Sequence, residues 1–287
     1  MPNPVVVGVD DVAGSGAAVD WAADEARLRG ARLLLVHARL WEPHRTPEHA
    51  PQGAGVGEQA VAELVERAVR RHPGLPVDSV GLDQVPRDAL VALSAEGQLV
   101  VVGSRGTGGF PDLLTGSTAL HVAADAVCPA VVVPGTVAYA PGTGGATGSV
   151  AVGVHGREAE EELLRFAFEA AQRRQSPLRV VHAWSYPLVG HGRAVPPVYE
   201  EGHIAAEEER LVAEVLAGWR QRYPEVAVEQ DVVRSGPAKR LVALSTTSQL
   251  IVVGRRGNPD GPLGRLGSVS QAVVHHARCP VAVVPLP

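Results

Sequence analysis

The sequence is almost without lysine. Of its 26 basic residues one is a lysine, Lys239, and it stands away from the two glycine-rich phrases described below. A Gly-x4-Gly-Lys-[Ser/Thr] phosphate loop is therefore excluded, because that loop needs its lysine to reach the terminal phosphates. Cysteine is nearly as scarce: Cys128 and Cys279 each sit directly before a proline, at equivalent places in a repeat. Such a pair reads as small buried thiols in a reducing compartment rather than as a disulfide. Long apolar runs are missing too. LVVV (99–102) and AVVV (130–133) fall far short of the roughly 20 residues that span a bilayer. The opening MPNPVVVGVD enters a strand-like run with no basic region ahead of a cleavable apolar stretch, so we expect no leader and a cytoplasmic location. Nor is there an excess of one charge: a net −5 over 287 residues draws the chain to neither nucleic acid nor an anionic membrane, and neither is expected as a partner.

What is present is repetition. Val5-Val6-Val7-Gly8-Val9-Asp10 matches Val150-Ala151-Val152-Gly153-Val154-His155, and Leu35-Val36-His37-Ala38 matches Val180-Val181-His182-Ala183, both at an offset of 145. Leu90-Val91-Ala92-Leu93-Ser94 and Gln98-Leu99-Val100-Val101-Val102-Gly103 recur at an offset of 151, so the second copy carries six extra residues after its second strand. The Gly-, Pro- and Thr-rich stretch TVAYAPGTGGATGS (136–149) separates the copies. We set the domains at 1–138 and 149–287, with 139–148 as linker.

Within each copy short β-branched runs alternate with helical patterns. In the first, strands are expected at VVVGVD, 31–38, 77–82, 99–103 and 130–134, and helices over 17–29, 56–71, 86–95 and 117–127. In the second, Leu163, Phe166, Ala167, Ala170 and Ala171 trace one apolar helical face. Alternation of this kind implies a parallel sheet covered on both sides. The fold class is α/β: two tandem, doubly wound, five-stranded parallel-sheet domains.

The fourth strand of each copy runs into the same spacing of glycines: Gly103-x2-Gly106-x9-Gly116-Ser117, and Gly254-x2-Gly257-x9-Gly267-Ser268. The nine intervening residues differ almost entirely, so the glycines and the hydroxyl are what the copies share. Glycines allow positive φ and close approach of a ligand, successive N–H groups form an anion nest, and the helix that opens at Ser117 offers further N–H groups to a phosphate. A tight strand-to-helix loop that binds nothing is the alternative. A dinucleotide-binding Rossmann domain is argued against, since its glycines follow the first strand.

Gly-x2-Gly-x9-Gly-[Ser/Thr] after a fourth strand, together with VGVD at the first strand, WAADEA (21–26), LLVHA (34–38), VVGSRGTGGF and the CPAVVV and CPVAVV endings, resembles the universal stress protein family. The resemblance covers both copies and is closest to the tandem members common in actinobacteria. It implies the adenine-nucleotide alpha-hydrolase-like fold, ATP binding in many members, a regulatory rather than efficiently catalytic role, and domains that pair through the fifth strand, within one chain or in a homodimer. By the same resemblance Asp10 would meet the ribose or hold Mg²⁺ through water, Ala38 would meet the adenine and Val102 flank it, and Gly103, Gly106, Gly116, Ser117 and Thr118 would hold phosphates. The second-copy counterparts are Ala183, Val253, Gly254, Gly257, Gly267, Ser268 and Val269.

Both copies depart from the family run. Asp11 stands where glycine often follows Asp10, and would crowd a triphosphate. His155 replaces the acidic residue in the second copy, with Arg157 behind it and Arg255 and Arg256 adding positive charge beside the second glycine phrase. The first copy is expected to bind ATP; the second is left open. His37 and His182, at equivalent strand ends, read as structural histidines bonded to nearby backbone. No catalytic residue and no transition-metal site is expected: no Ser-His-Asp arrangement is evident, and His275-His276 lack ligand-spaced partners. The expected function is an ATP-binding stress regulator acting on an unknown protein partner. A slow ATPase using the same pocket and a nucleotide-independent scaffold are the alternatives.

Overall fold

The computed structural model describes residues 3–39, 54–104, 115–135, 148–156, 160–185, 198–256 and 264–287, leaving aside the side chains of 54–56, 198–201 and 264. In the first copy β1 (Val5–Gly8), β2 (Leu33–Ala38), β3 (Val77–Leu82), β4 (Leu99–Gly103) and β5 (Ala130–Val133) alternate with α1 (Val12–Arg29), α2 (Ala54–Arg71), α3 (Pro86–Leu93) and α4 (Ser117–Asp125). The second copy repeats this with β6 (Ser149–Gly153), α5 (Glu161–Arg174), β7 (Leu178–Trp184), α6 (Val198–Arg222), β8 (Val228–Arg234), α7 (Pro237–Leu244), β9 (Ser248–Arg255), α8 (Ser268–His276) and β10 (Val281–Pro285). No helix among the described residues is long and apolar enough to cross a membrane. Most of the expected linker lies outside the described residues.

Local chemistry sets the boundaries. Central strands such as AVVV are buried along their whole length, whereas β3 at the edge leaves Asp78, Ser79 and Gly81 in solvent and buries none of its residues fully. Pro86 and Pro237 open α3 and α7, where the missing N–H costs no helical bond. Gly30 closes α1 with φ of 60°, its N–H returning to Ala26 and Arg27; its counterpart Gln175 takes φ of 51° at the end of α5. Most boundaries of the first copy fall within two residues of expectation, and one departs further. The helix expected from residue 17 begins at Val12, because the Asp11 carboxylate accepts the Gly14 N–H as an N-cap. Gly14-Ser15-Gly16 looks like loop by composition, yet it lies inside α1.

The strands form one ten-stranded sheet in the order β3-β2-β1-β4-β5-β10-β9-β6-β7-β8. Neighbours within each copy are parallel, and the two fifth strands, β5 and β10, join antiparallel. Val131 faces Ala282 across that join. The two occupy equivalent positions at the offset of 151, so a pseudo-twofold axis passes between them. Each face of the sheet carries one apolar cluster, and both clusters contain residues of both copies. The halves share a core.

Above the join α1 lies against α5. The Arg29 guanidinium sits 5.4 Å over the Phe166 ring, and that of Arg174 sits 5.7 Å over Trp21. These are equivalent pairs exchanged across the axis. Between them lies one carboxylate, Glu25, only 1% exposed, taking Arg29 Nε at 2.5 Å and the Arg174 guanidinium on its other oxygen. The equivalent of Glu25 is Ala170. Burial alone would raise the Glu25 carboxyl, but Arg174 and then Arg29 outweigh it and hold it at about 2, against an ordinary 4.5.

Removing this carboxylate strands two buried guanidiniums. We therefore expect Glu25→Gln to destabilise the chain by about 3–5 kcal/mol in urea denaturation. Since the folded pKa lies below the unfolded one, the stability it brings is complete above about pH 4.5 and is lost as pH falls toward about 2. The gap between wild type and variant should narrow across that window; a pH-independent gap would contradict the assignment.

Candidate functional site

In the first copy β1 and β4 are neighbours whose following helices lead to opposite sides, α1 toward β2 and α4 toward β5. Connections diverge there, and ligands of doubly wound sheets bind beyond such a point. Ala38 at the end of β2, Asp10 just past β1, and Val102 and Gly103 at the end of β4 lie along this one edge. Gly116, Ser117 and Thr118 stand at the start of α4. Gly106 and Gly257 lie outside the described residues. Ser104, which sequence reasoning missed, fixes the mouth of the loop: its carbonyl accepts the Gly116 N–H at 2.7 Å and its hydroxyl accepts the Gly135 N–H at 3.2 Å. The chain thus leaves β4 and returns to the same spot before α4 starts. Gly116 occupies the N-cap of α4 and offers no side chain to cap its first turn, and Ser117 beside it is exposed.

The conformations of the two last glycines differ. Gly267 has φ of 72° and ψ of 160°, a region reserved for glycine, whereas Gly116 has φ of −71° and ψ of 153°, open to any residue. A Cβ on Gly116 would come no closer than 3.6 Å to the Ser104 carbonyl. The backbone at 116 does not demand glycine, and neither does packing among the described residues, which corrects the positive-φ argument for this position. Gly254 has an internal reason of its own: a Cβ there would stand 2.6 Å from the Leu286 side chain.

Other site positions of the second copy hold their places, with Ala183 within β7, Val253 and Gly254 within β9, and Ser268 and Val269 opening α8. The surroundings have changed. His155 is exposed, and its N–H donates to the Glu160 carboxylate at 2.9 Å. Glu160 is buried, and its other oxygen lies 3.7 Å from Arg256. Burial raises the Glu160 carboxyl, opposed by the His155 N–H, Arg256 and the Gly156 N–H. Arg255 does not serve the glycine phrase either: it is buried and donates to the Ala126 carbonyl at the end of α4, in the other copy. The positive charge expected beside the second phrase is therefore already committed.

His37 and His182 donate from Nδ1 to the carbonyls of Val9 (3.1 Å) and Val154 (3.2 Å). Their outer nitrogens differ. His182 Nε2 meets Glu208 at 2.8 Å, while a Cβ on Gly57, the equivalent of Glu208, would lie 2.9 Å from His37 Nε2. Burial raises both thiols, Cys128 to about 11 and Cys279 to about 12, which leaves them unreactive near neutrality. Among the described residues no three His, Cys, Asp or Glu side chains gather to hold a metal ion.

Comparison with known proteins agrees with this architecture. The model of the universal stress protein family matches residues 1–134 and again 147–285. Universal stress protein Rv2005c of Mycobacterium tuberculosis is 38% identical over 291 residues, covering 97% of this chain and 96% of the relative. Universal stress protein Rv2623 of the same organism is 36% identical over 293 residues, covering 97% and 95%. The crystal structure of a universal stress protein from Archaeoglobus fulgidus superimposes with a TM-score of 0.68 at 15% identity, covering 99% of this chain and 96% of that one.

The two glycines at the helix starts should respond unequally to alanine. Gly267→Ala forces a side chain into a glycine-only conformation and should cost about 1–3 kcal/mol. Gly116→Ala should change stability by less than about 0.5 kcal/mol. Equal costs in urea denaturation would contradict the difference in backbone geometry.

Proposed function

The chain belongs to the universal stress protein family, and on that premise we propose that its first copy binds ATP in the crevice between β1 and β4, as a cytoplasmic regulator whose nucleotide state is read by a protein partner. The observation that carries this reading is the start of α4. A loop whose described ends are pinned brings Gly116 and Ser117 to the diverging edge of the sheet, with no side-chain cap from the N-cap position and, among the described residues, no contact that requires glycine at 116. A glycine that its own backbone conformation does not require fits a position that a ligand approaches closely. Gly103, Gly106, Gly116 and Ser117 would take the phosphates, with Thr118 in reach. Ala38 and Val102 would bound the adenine, and Asp10 would receive a ribose hydroxyl or a water of Mg²⁺.

The donor set fits a nucleotide anion on further grounds. Asp11, at risk of repelling the triphosphate, spends its carboxylate on the Gly14 N–H as the cap of α1. The equivalent turn in the second copy already accommodates an anion, the Glu160 carboxylate, on its backbone N–H groups. No residue is assigned as a base for hydrolysis. The role is recognition and signalling.

Calorimetry of the full chain with ATP and Mg²⁺ should give saturable binding with a stoichiometry near one. Gly116→Val, which the backbone at 116 accommodates, should weaken it by at least about tenfold, or ~1.4 kcal/mol. Absence of binding at millimolar nucleotide would overturn the reading in favour of a nucleotide-independent scaffold.

A further inference from the structure

We propose that Glu160 is a built-in anion that seals the second copy's crevice against nucleotide phosphates, leaving the chain with one working site and one occupied by its own side chain. The inference rests on the reading of the first copy as the nucleotide site.

The position of Glu160 carries the argument. It stands at the N-cap of α5, yet makes no capping bond to that helix. Its carboxylate turns back to the end of β6, where it accepts the His155 N–H at 2.9 Å beside the N–H of Gly156. Gly156 has φ of 74°, so the turn presents successive amides as an anion nest does. From there the other carboxylate oxygen reaches Arg256, just past the end of β9, at 3.7 Å. β6 and β9 are the adjacent strands whose connections diverge in this copy. The Glu160–Arg256 pair therefore spans the crevice in which a ligand would lie. A phosphate entering there would meet a buried carboxylate on the amides and an arginine already paired.

The repeat supplies the control. At the offset of 145 the equivalent of Glu160 is Ser15, whose neutral hydroxyl accepts the Asp10 N–H at 2.9 Å. The backbone donor is the same, and the charge is absent. Filling of the second copy continues behind the turn. Glu208 and Leu211 stand where the first copy has Gly57 and Ala60, and the Leu211 side chain packs so closely under Gly156 that a Cβ there would lie 2.3 Å from it. Three substitutions, each from small and neutral to larger or charged, all fall on one side of one crevice.

The test is ATP calorimetry with Mg²⁺ on the full chain, comparing wild type with Glu160→Ser, which installs the first copy's residue. Stoichiometry should rise from near one to near two, and Glu160→Ser combined with Gly116→Val should retain one site, now in the second copy. A wild type that binds two nucleotides overturns the seal while leaving the reading of the first copy intact. A wild type binding one and a Glu160→Ser variant also binding one overturn it too. No binding by either overturns both. Circular dichroism melts establish that each variant folds. Glu160→Gln, which keeps the side chain's length and loses its charge, should give the same count if the serine variant melts early.

Discussion

The antiparallel pairing of β5 with β10 organises everything else in the molecule. Alone, either copy would end in an apolar edge strand, AVVV or VAVVP, offering unpaired backbone groups to any other strand. Joined, each edge satisfies the other, and two five-stranded sheets become one of ten. Because equivalent residues meet at the join, contacts above it can come in exchanged pairs. Arg29 over Phe166 and Arg174 over Trp21 are such a pair.

A tandem chain can break that symmetry in ways a homodimer cannot. Two identical subunits would place two Glu25 carboxylates near the axis, repelling each other in a buried space. Here Ala170 takes the second place, and a single carboxylate serves both arginines. Removal from water is unfavourable for all three ions; the close two-sided geometry is what keeps Glu25 charged. The same freedom reaches the crevices. Ser15, Gly57 and Ala60 in one copy answer to Glu160, Glu208 and Leu211 in the other, so one side of the crevice is small and neutral in the first copy and charged or bulkier in the second.

Much of this was legible in the sequence, for identifiable reasons. Strands buried on both faces of a parallel sheet read as uninterrupted β-branched runs, and VVVG, LVVVG and AVVV were found that way. Repetition at fixed offsets placed the glycine phrases at strand ends and predicted the backbone-bonded histidines. What stayed hidden depends on contacts between distant residues. Nothing near Glu25 announces that its partner is Arg174, and Gly14-Ser15-Gly16 conceals a helix made possible by the cap at Asp11. Glu160 escaped for another reason. The repeat marks residues that match, whereas Glu160 stands where one copy is small and neutral and the other charged. Ser104, which closes the first loop, has no signal in the repeat, since its counterpart is the buried Arg255.

The central claim is functional inequality between two copies of one fold. A crystal structure of the full chain grown with ATP and Mg²⁺ tests it most directly. The account predicts nucleotide density at the β1–β4 crevice, with phosphates at the start of α4, and a β6–β9 crevice in which Glu160 still accepts the His155 N–H. Nucleotide bound between β6 and β9, with Glu160 displaced from that turn, would contradict it.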